Sequence, residues 1–372
     1  MQSNQQLRRT TLGLAGAVLI GGAIAFAGQT VTTVSDGPHV FWQPDGRARV
    51  VALCDGVKSE RVVEAADGFT LHVPCLGLRA VRIESDAPPP DDAVFTGVDR
   101  FLAIGDVHGE YDAAVALLRA VGVIDDEYRW AFEDGHVLFN GDVFDRGQRV
   151  TESLWLIYRL DKEARKTGGR VHMILGNHEF MALGGDLRYV DAKYLEGVVP
   201  ALGMDYPELF GPETELGRWL RTRNTLVMIN GLLFTHAGVS ADVARLGLSI
   251  DEINDLVRTS FDVKRDALKS DPTLDLLRGV RGPLWYRGYF MGISGYQNAS
   301  DDDIRTVLDQ FGAKRVVVAH TSVVKIGPFH GGLVIGIDVP MSDEVGARGL
   351  LWTDGKFFDV DSRGERRPLQ FD

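Results

Sequence analysis

Cysteine is almost absent: Cys54 and Cys75 are the two in a chain of 372 residues. A metal centre built from thiolates is therefore excluded, and any bound ion must rely on oxygen and nitrogen donors. Runs of lysine or arginine are missing as well, which removes the basic arm typical of nucleic-acid binders. The formal charge of −12 acts in the same sense, against nucleic acid or an anionic membrane surface as the main partner. A phosphate-bearing ligand must then be drawn in locally, by bound cations and a few arginines. No internal repeat is evident. What the chain does have is apolar surface, at 45% hydrophobic residues, enough for one large domain and a smaller one.

Arg8 and Arg9 precede an uncharged stretch, Thr11 to Ala27, with small-x-small sites at Ala23-Ile24-Ala25 and Ala25-Phe26-Ala27. Residues 1–27 are expected to be an export signal, with an uncleaved membrane anchor as the alternative at this length. The paired arginines weakly resemble a twin-arginine signal, from which Leu7 and Thr11 depart. The protein is then periplasmic or otherwise extracytoplasmic. In that compartment a Cys54–Cys75 disulfide is the natural reading, and loop entropy makes it worth about 3 kcal/mol.

Asp-Gly pairs at Asp36-Gly37, Asp45-Gly46, Asp55-Gly56 and Asp67-Gly68 flank short apolar or alternating runs, which signals hairpins. Residues 28–87 are expected to form a small antiparallel β module, and Pro88-Pro89-Pro90 opens a stiff linker over 88–97. The remainder, 98–372, forms a second domain. In it the apolar runs Arg100 to Ile104, His136 to Asn140 and Val171 to Leu175 have strand length, and Tyr111 to Val121 and Val150 to Lys166 have helical pattern. That alternation predicts a parallel or mixed sheet covered by helices. Periodicity weakens from Met181 to Arg223, where Tyr189, Tyr194, Tyr206, Phe210 and Trp219 are scattered. The segment is either a substrate-facing lid or a packed helical excursion.

Each of the three strand-like runs ends in a polar loop: Gly105-Asp106-Val107-His108-Gly109, Gly141-Asp142-Val143-Phe144-Asp145-Arg146-Gly147, and Gly176-Asn177-His178-Glu179. Ligands of such sheets gather outside the carboxyl ends of the strands. Asp106 and His108 can turn toward one ion, and Asp142 has two oxygens with which to bridge a pair. Asn177 offers an amide oxygen, while His236 and His320 offer ring nitrogens. These donors suit two divalent ions such as Mn, Fe or Zn, able to activate a water and stabilise an oxyanion in attack on phosphorus. His178 could protonate the leaving oxygen, Asp145 could orient it, and Arg146 could grip a phosphate through its planar fork. His136, His172 and His330 are read as structural.

Taken together with His236-Ala237-Gly238, these segments resemble the signature of the calcineurin-like metallophosphoesterases. The intact Asp-Arg-Gly and Asn-His-Glu blocks are similar to the phosphoprotein phosphatase branch. The resemblance implies an α/β (α+β) fold, a metallophosphoesterase β-sandwich flanked by helices. It implies one metal on Asp106, His108 and Asp142, and a second on Asp142, Asn177, His236 and His320. It also implies His178 as general acid supported by Asp145, with Arg146 and Asn177 on the phosphate. Arg281 to Gly288 looks like the segment that contributes a further phosphate-binding arginine, with Arg287 the choice and Arg281 the alternative. The Tyr-bearing loop of eukaryotic-type members has no match after His320. The N-terminal β module and the Gly176 to Leu187 run are similar to the Shewanella-like phosphatases, which implies phosphorylated protein substrates, on tyrosine or on serine and threonine. The rival readings are a nucleotide-directed hydrolase of the same superfamily, in which the Asp145-Arg146-Gly147 block is not expected, and a non-catalytic periplasmic binding protein.

Overall fold

The computed structural model describes residues 33–371. The expected export segment, residues 1–27, lies outside the described residues. Residues from Val34 onward form one compact unit.

Strands β1 (Asp36–Trp42), β2 (Arg47–Cys54) and β3 (Val57–Glu64) form an antiparallel sheet in that order. The Asp45-Gly46 and Asp55-Gly56 pairs make its two turns, as their composition demands. The other two Asp-Gly pairs do not: Asp36-Gly37 lies inside β1, and Asp67-Gly68 leads into a separate short pair, β4 (Phe69–Leu71) and β5 (Val81–Ile83). A disulfide joins Cys54 to Cys75, tying the end of β2 to the connection between β4 and β5.

After β6 (Val94–Phe95), the parallel trio β7 (Phe101–Ile104), β8 (His136–Phe139) and β9 (Arg170–Met173) follows. Strands β10 (Leu226–Ile229), β11 (Leu232–Thr235), β12 (Arg315–Val318), β13 (Gly327–Phe329) and β14 (Val334–Gly336) join β6 in one six-stranded sheet. Strands β15 (Arg348–Thr353), β16 (Lys356–Asp361) and β17 (Arg366–Pro368) complete the other, with β15 beside β7. Period-two alternation explains why the two sheets face each other. Phe101 and Ala103 of β7 meet Val227, Ile229 and Phe234 from the opposite sheet, while Leu102 and Ile104 point outward to helices. With both faces buried, these strands read as continuous apolar runs.

Helices α1 (Tyr111–Val121) and α2 (Val150–Ala164) cover the outer face of the first sheet. Residues 241–311 cover the second, through Val243, Ile253, Val257, Ile304 and Val307. This is the expected sandwich flanked by helices. The N-terminal strands are not set apart: Val40, Phe41 and Val51 share a core with α1 and α2. The proline-rich connection is also tied down, since Asp91 pairs with Arg165 and Arg223. The 181–223 segment is the packed excursion rather than an aromatic-lined lid. Tyr194, Tyr206, Phe210 and Trp219 are buried in that same core, and Tyr189 alone of the five is exposed, at 46%.

Candidate metal centre

The loops after β7, β8, β11 and β12 meet the start of helix α3 (Asn177–Leu183) around one carboxylate, Asp142. Its Oδ2 lies 3.2 Å from His236 Nε2, 3.8 Å from His178 Nε2 and 3.9 Å from His108 Nε2. His236 Nε2 is in turn 3.1 Å from Asn177 Oδ1 and 3.1 Å from His320 Nδ1. Asp106 Oδ2 stands 3.7 Å from His108 Nε2, and its Oδ1 accepts the backbone N–H of His320 at 3.1 Å. All six residues expected to bind metal are thus brought together, across a sequence separation of more than two hundred positions.

Backbone carbonyls orient the rings. His108 Nδ1 donates to Phe144 O at 2.7 Å, and His236 Nδ1 donates to Asn140 O at 2.8 Å. Each bond holds its ring with Nε2 turned toward the carboxylates. The main chain is bent to allow this. His108, Asp142, Asp145, Arg146 and His320 have φ of 46°, 52°, 71°, 63° and 62°. Non-glycine residues in that region cost on the order of 1–3 kcal/mol each and cluster where function demands them. Two glycines clear the space. A Cβ on Gly176 would fall 2.2 Å from Asp142 Oδ1, and one on Gly141 would fall 2.4 Å from His236 Nδ1.

Glu179, which carried no role in the sequence, joins two of these loops. Fully buried, it accepts the backbone N–H groups of Gly176 at 2.7 Å, Val143 at 2.7 Å and Asp142 at 3.1 Å. A carboxylate three residues into a helix that begins at Asn177 is a capping signal, and it was visible as such. Asp338 was missed outright. It follows β14, accepts from Ser322 Oγ at 2.9 Å, and acts on Asp106 electrostatically. The signal was the same one that marks Asp106 and Asp142: an aspartate at the end of an apolar strand.

Charge in the cluster is unbalanced in a way that calls for a cation. Burial, with Asp338 and Asp142 nearby, pushes the Asp106 carboxyl well above its usual value. Burial would also push His236 down, yet Asp142 and Asp106 outweigh it and lift the imidazole to about 10. Burial opposes ionisation of Asp142 too, but His236, His178 and His108 hold its carboxyl well below the usual range. His108, by contrast, is driven by burial to about 4, and burial together with His236 drives His320 well below its usual value. Neutral imidazoles are the form that ligates a metal. The buried Nε2 atoms of His108 and His320 have no hydrogen-bond partner. Bare nitrogens and crowded carboxylates at this spacing fit divalent ions.

The residues expected to handle phosphate flank this cluster. His178 Nδ1 lies 2.6 Å from Asp145 Oδ2. Arg146 is exposed, and its N–H donates to Tyr189 O at 2.7 Å. Arg287 sits beside His320, donating to His320 O at 2.8 Å and Thr321 Oγ1 at 3.1 Å. Arg281, the alternative, is paired with Asp242 and not placed among the ligands. His136 and His172 form a buried pair in β8 and β9, and His330 pairs with Asp301, all apart from the cluster. Tyr189 was not singled out from its neighbours in the sequence, yet its ring centroid is 5.2 Å from that of His178.

Comparison with known proteins is consistent with this geometry. The sequence model of the calcineurin-like phosphoesterases matches residues 99–324. Shewanella-like protein phosphatase 1 of Plasmodium berghei (strain Anka) is 30% identical over 246 residues, 65% of this chain and 67% of that protein. Shewanella-like protein phosphatase 2 of Arabidopsis thaliana is 38% identical over 102 residues, 27% of this chain and 26% of that one. The crystal structure of a cold-active protein-tyrosine phosphatase from a psychrophilic Shewanella species superposes with a TM-score of 0.84 at 34% identity. It covers 91% of this chain and 100% of that one.

Proposed function

We infer the activity from one premise: the chain belongs to the calcineurin-like phosphoesterase family. It is a metal-dependent protein phosphatase that hydrolyses phosphotyrosine and also phosphoserine or phosphothreonine. The observation that carries this reading is Asp142 Oδ2 at 3.2–3.9 Å from three imidazoles, beside an Asp145–His178 pair and two arginines. Asp106, His108 and Asp142 would hold one divalent ion, and Asp142, Asn177, His236 and His320 the other. Bound there, two ions supply Lewis acidity and a water of lowered pKa.

The chain's own residues do the rest. Arg146 binds phosphoryl oxygens through its guanidinium fork, aided by Arg287 next to His320 and by Asn177. His178, held by Asp145 at Nδ1, presents Nε2 to the leaving group. As the phosphorus–oxygen bond breaks, the Nε2 proton passes to the departing alkoxide or phenolate. The test is hydrolysis by purified protein of matched phosphotyrosine peptides, phosphoserine peptides and nucleotides, with Mn²⁺ and with a chelator. Activity confined to nucleotides, or unaffected by chelation, would overturn the reading.

We also propose export. The Cys54–Cys75 disulfide supports it, because such bonds persist in oxidising compartments. The mature chain should begin near Phe26 or Gly28, and denatured, unreduced protein should show no free thiol. Two labelled thiols in native protein would count against it. An intact Met1 in the membrane fraction would favour the anchored form.

A further inference from the structure

Two consecutive residues at the site, Asp145 and Arg146, hold left-handed backbone conformations. Such a turn persists only if its surroundings over-determine it. In front, Arg146 N–H donates to Tyr189 O at 2.7 Å and Gly147 N–H donates to His108 O at 2.8 Å. Behind, the carbonyl of Gln148 accepts from Lys193 Nζ at 2.6 Å and from Tyr194 Oη at 3.1 Å. Tyr194 Oη also accepts the N–H of Val150 at 2.9 Å, fixing the start of α2. The support from behind has an anchor of its own. Lys193 Nζ lies 3.4 Å from an oxygen of Asp36, the first residue of β1, and 3.8 Å from Glu152.

Asp36 is fully buried. Its Oδ2 accepts from His39 Nε2 at 2.9 Å and from Thr151 Oγ1 at 3.2 Å, and Lys193 takes the other oxygen. A buried carboxylate is expensive unless paired and hydrogen-bonded on every side, and this one is. Without it the Lys193 ammonium would face Glu152 alone, with less reason to stay against Gln148. A cation and an anion drawn from segments 157 residues apart therefore meet directly behind the turn that carries Arg146.

We propose that Asp36 and Lys193 are positioning residues for the phosphate-binding turn, and that the N-terminal strands serve the site by delivering Asp36 behind it. The proposal rests on the assignment of Arg146 to substrate phosphate. Loss of the support leaves the turn competent for only a fraction of the time, and apparent affinity falls by that fraction. Substrate phosphate re-forms the turn on binding, so KM should change more than kcat.

The variants are Lys193→Met, Lys193→Arg and Asp36→Asn in the full chain. The readouts are the Kd of inorganic phosphate by calorimetry, kcat and KM on an aryl phosphate, metal content and Tm. Lys193→Met should weaken phosphate and raise KM by about tenfold, with kcat within about threefold and metal content unchanged. Lys193→Arg, which can still donate to Gln148 and pair with Asp36, should restore most of the affinity. Combining Asp36→Asn with Lys193→Met should add little to the single loss, because both act through one contact. A fall in Tm with phosphate affinity within about twofold of wild type, or fully additive losses, would overturn the proposal. If Lys193→Met does not fold, Asp36→Asn alone decides by the same phosphate measurement. Calorimetry needs no turnover: phosphate binding that depends on Lys193 in a protein that hydrolyses no phosphopeptide would refute the phosphatase reading and leave this one standing.

Discussion

Asp145 Oδ2 takes the Nδ1–H of His178 at 2.6 Å, from a backbone held at φ 71°. Burial pushes the Asp145 carboxyl up, while the bond to His178 works against that rise. The pair is thereby arranged so that Nε2 of His178, 3.8 Å from Asp142 Oδ2, is the ring atom turned toward the metal ligands.

His178→Ala should keep its metals and lose turnover by about 10²–10⁴-fold, the range for a general acid. The loss should shrink on aryl phosphates with good leaving groups, which need less protonation. Asp145→Asn should fall between wild type and His178→Ala, since orientation is weakened while the imidazole remains. Equal losses across leaving groups would show that His178 positions the substrate instead.

Asp142→Asn should abolish activity and lower bound metal, because the carboxylate that neighbours His108, His178 and His236 would serve both ions. Elemental analysis of the purified variant checks this directly. Two ions per chain with normal turnover would refute the shared-ligand assignment.

The ligands were legible because each sits where a continuous apolar run stops, and a strand buried on both faces leaves such a run in sequence. Helix α1 matched its expected limits, Tyr111 to Val121, because Gly122 ends it in the left-handed conformation. Asp338 escaped because no motif surrounds it, although it ends an apolar run as Asp106 does. The fate of the aromatics in 181–223 depended on partners remote in sequence. Phe210 packs edge-on to His39 and Phe144, and Trp219 packs on Tyr158, contacts that no local periodicity encodes. The β module's place was illegible for the same reason: Asp36 meets Lys193 only in three dimensions.

A pH effect should arise away from the metal ligands. His172 Nε2 lies 3.0 Å from His136 Nδ1, both rings packed against Phe95. Burial, with Arg170 nearby, lowers His136 to about 4, and burial together with His136 lowers His172 well below its usual value. Histidine in the unfolded chain titrates near 6.5. Below about pH 6.5 the unfolded state takes up protons that the folded pair refuses, so this contribution is complete above that pH and fades as pH falls toward about 4. His172→Gln keeps polar atoms but cannot titrate. Its denaturant midpoint should drop less than wild type between about pH 7.5 and about pH 5. Equal drops would assign the acid sensitivity elsewhere.

Substrate choice should turn on Tyr189. The residue is 46% exposed, and its ring centroid lies 5.2 Å from that of His178. Its carbonyl holds Arg146 N–H, and the Arg188 guanidinium carbon lies 5.6 Å from the ring centroid. An exposed aromatic beside the proposed general acid can stack on the phenyl ring of phosphotyrosine and has no such partner in phosphoserine. Aromatic pairs add about 1 kcal/mol beyond simple burial, or roughly fivefold in kcat/KM if the contact persists in the transition state. Phenolate also leaves more readily than an alkoxide, so two effects favour phosphotyrosine, one through binding and one through chemistry. Tyr189→Ala removes only the first. It should lower kcat/KM by roughly fivefold on phosphotyrosine peptides and by less than about twofold on matched phosphoserine peptides. Tyr189→Phe should retain the preference, because the ring and not the hydroxyl does the stacking. Steady-state kinetics on the paired peptides decides the matter: equal losses on both would assign the Tyr189 side chain to supporting the Arg146 turn rather than to stacking on substrate.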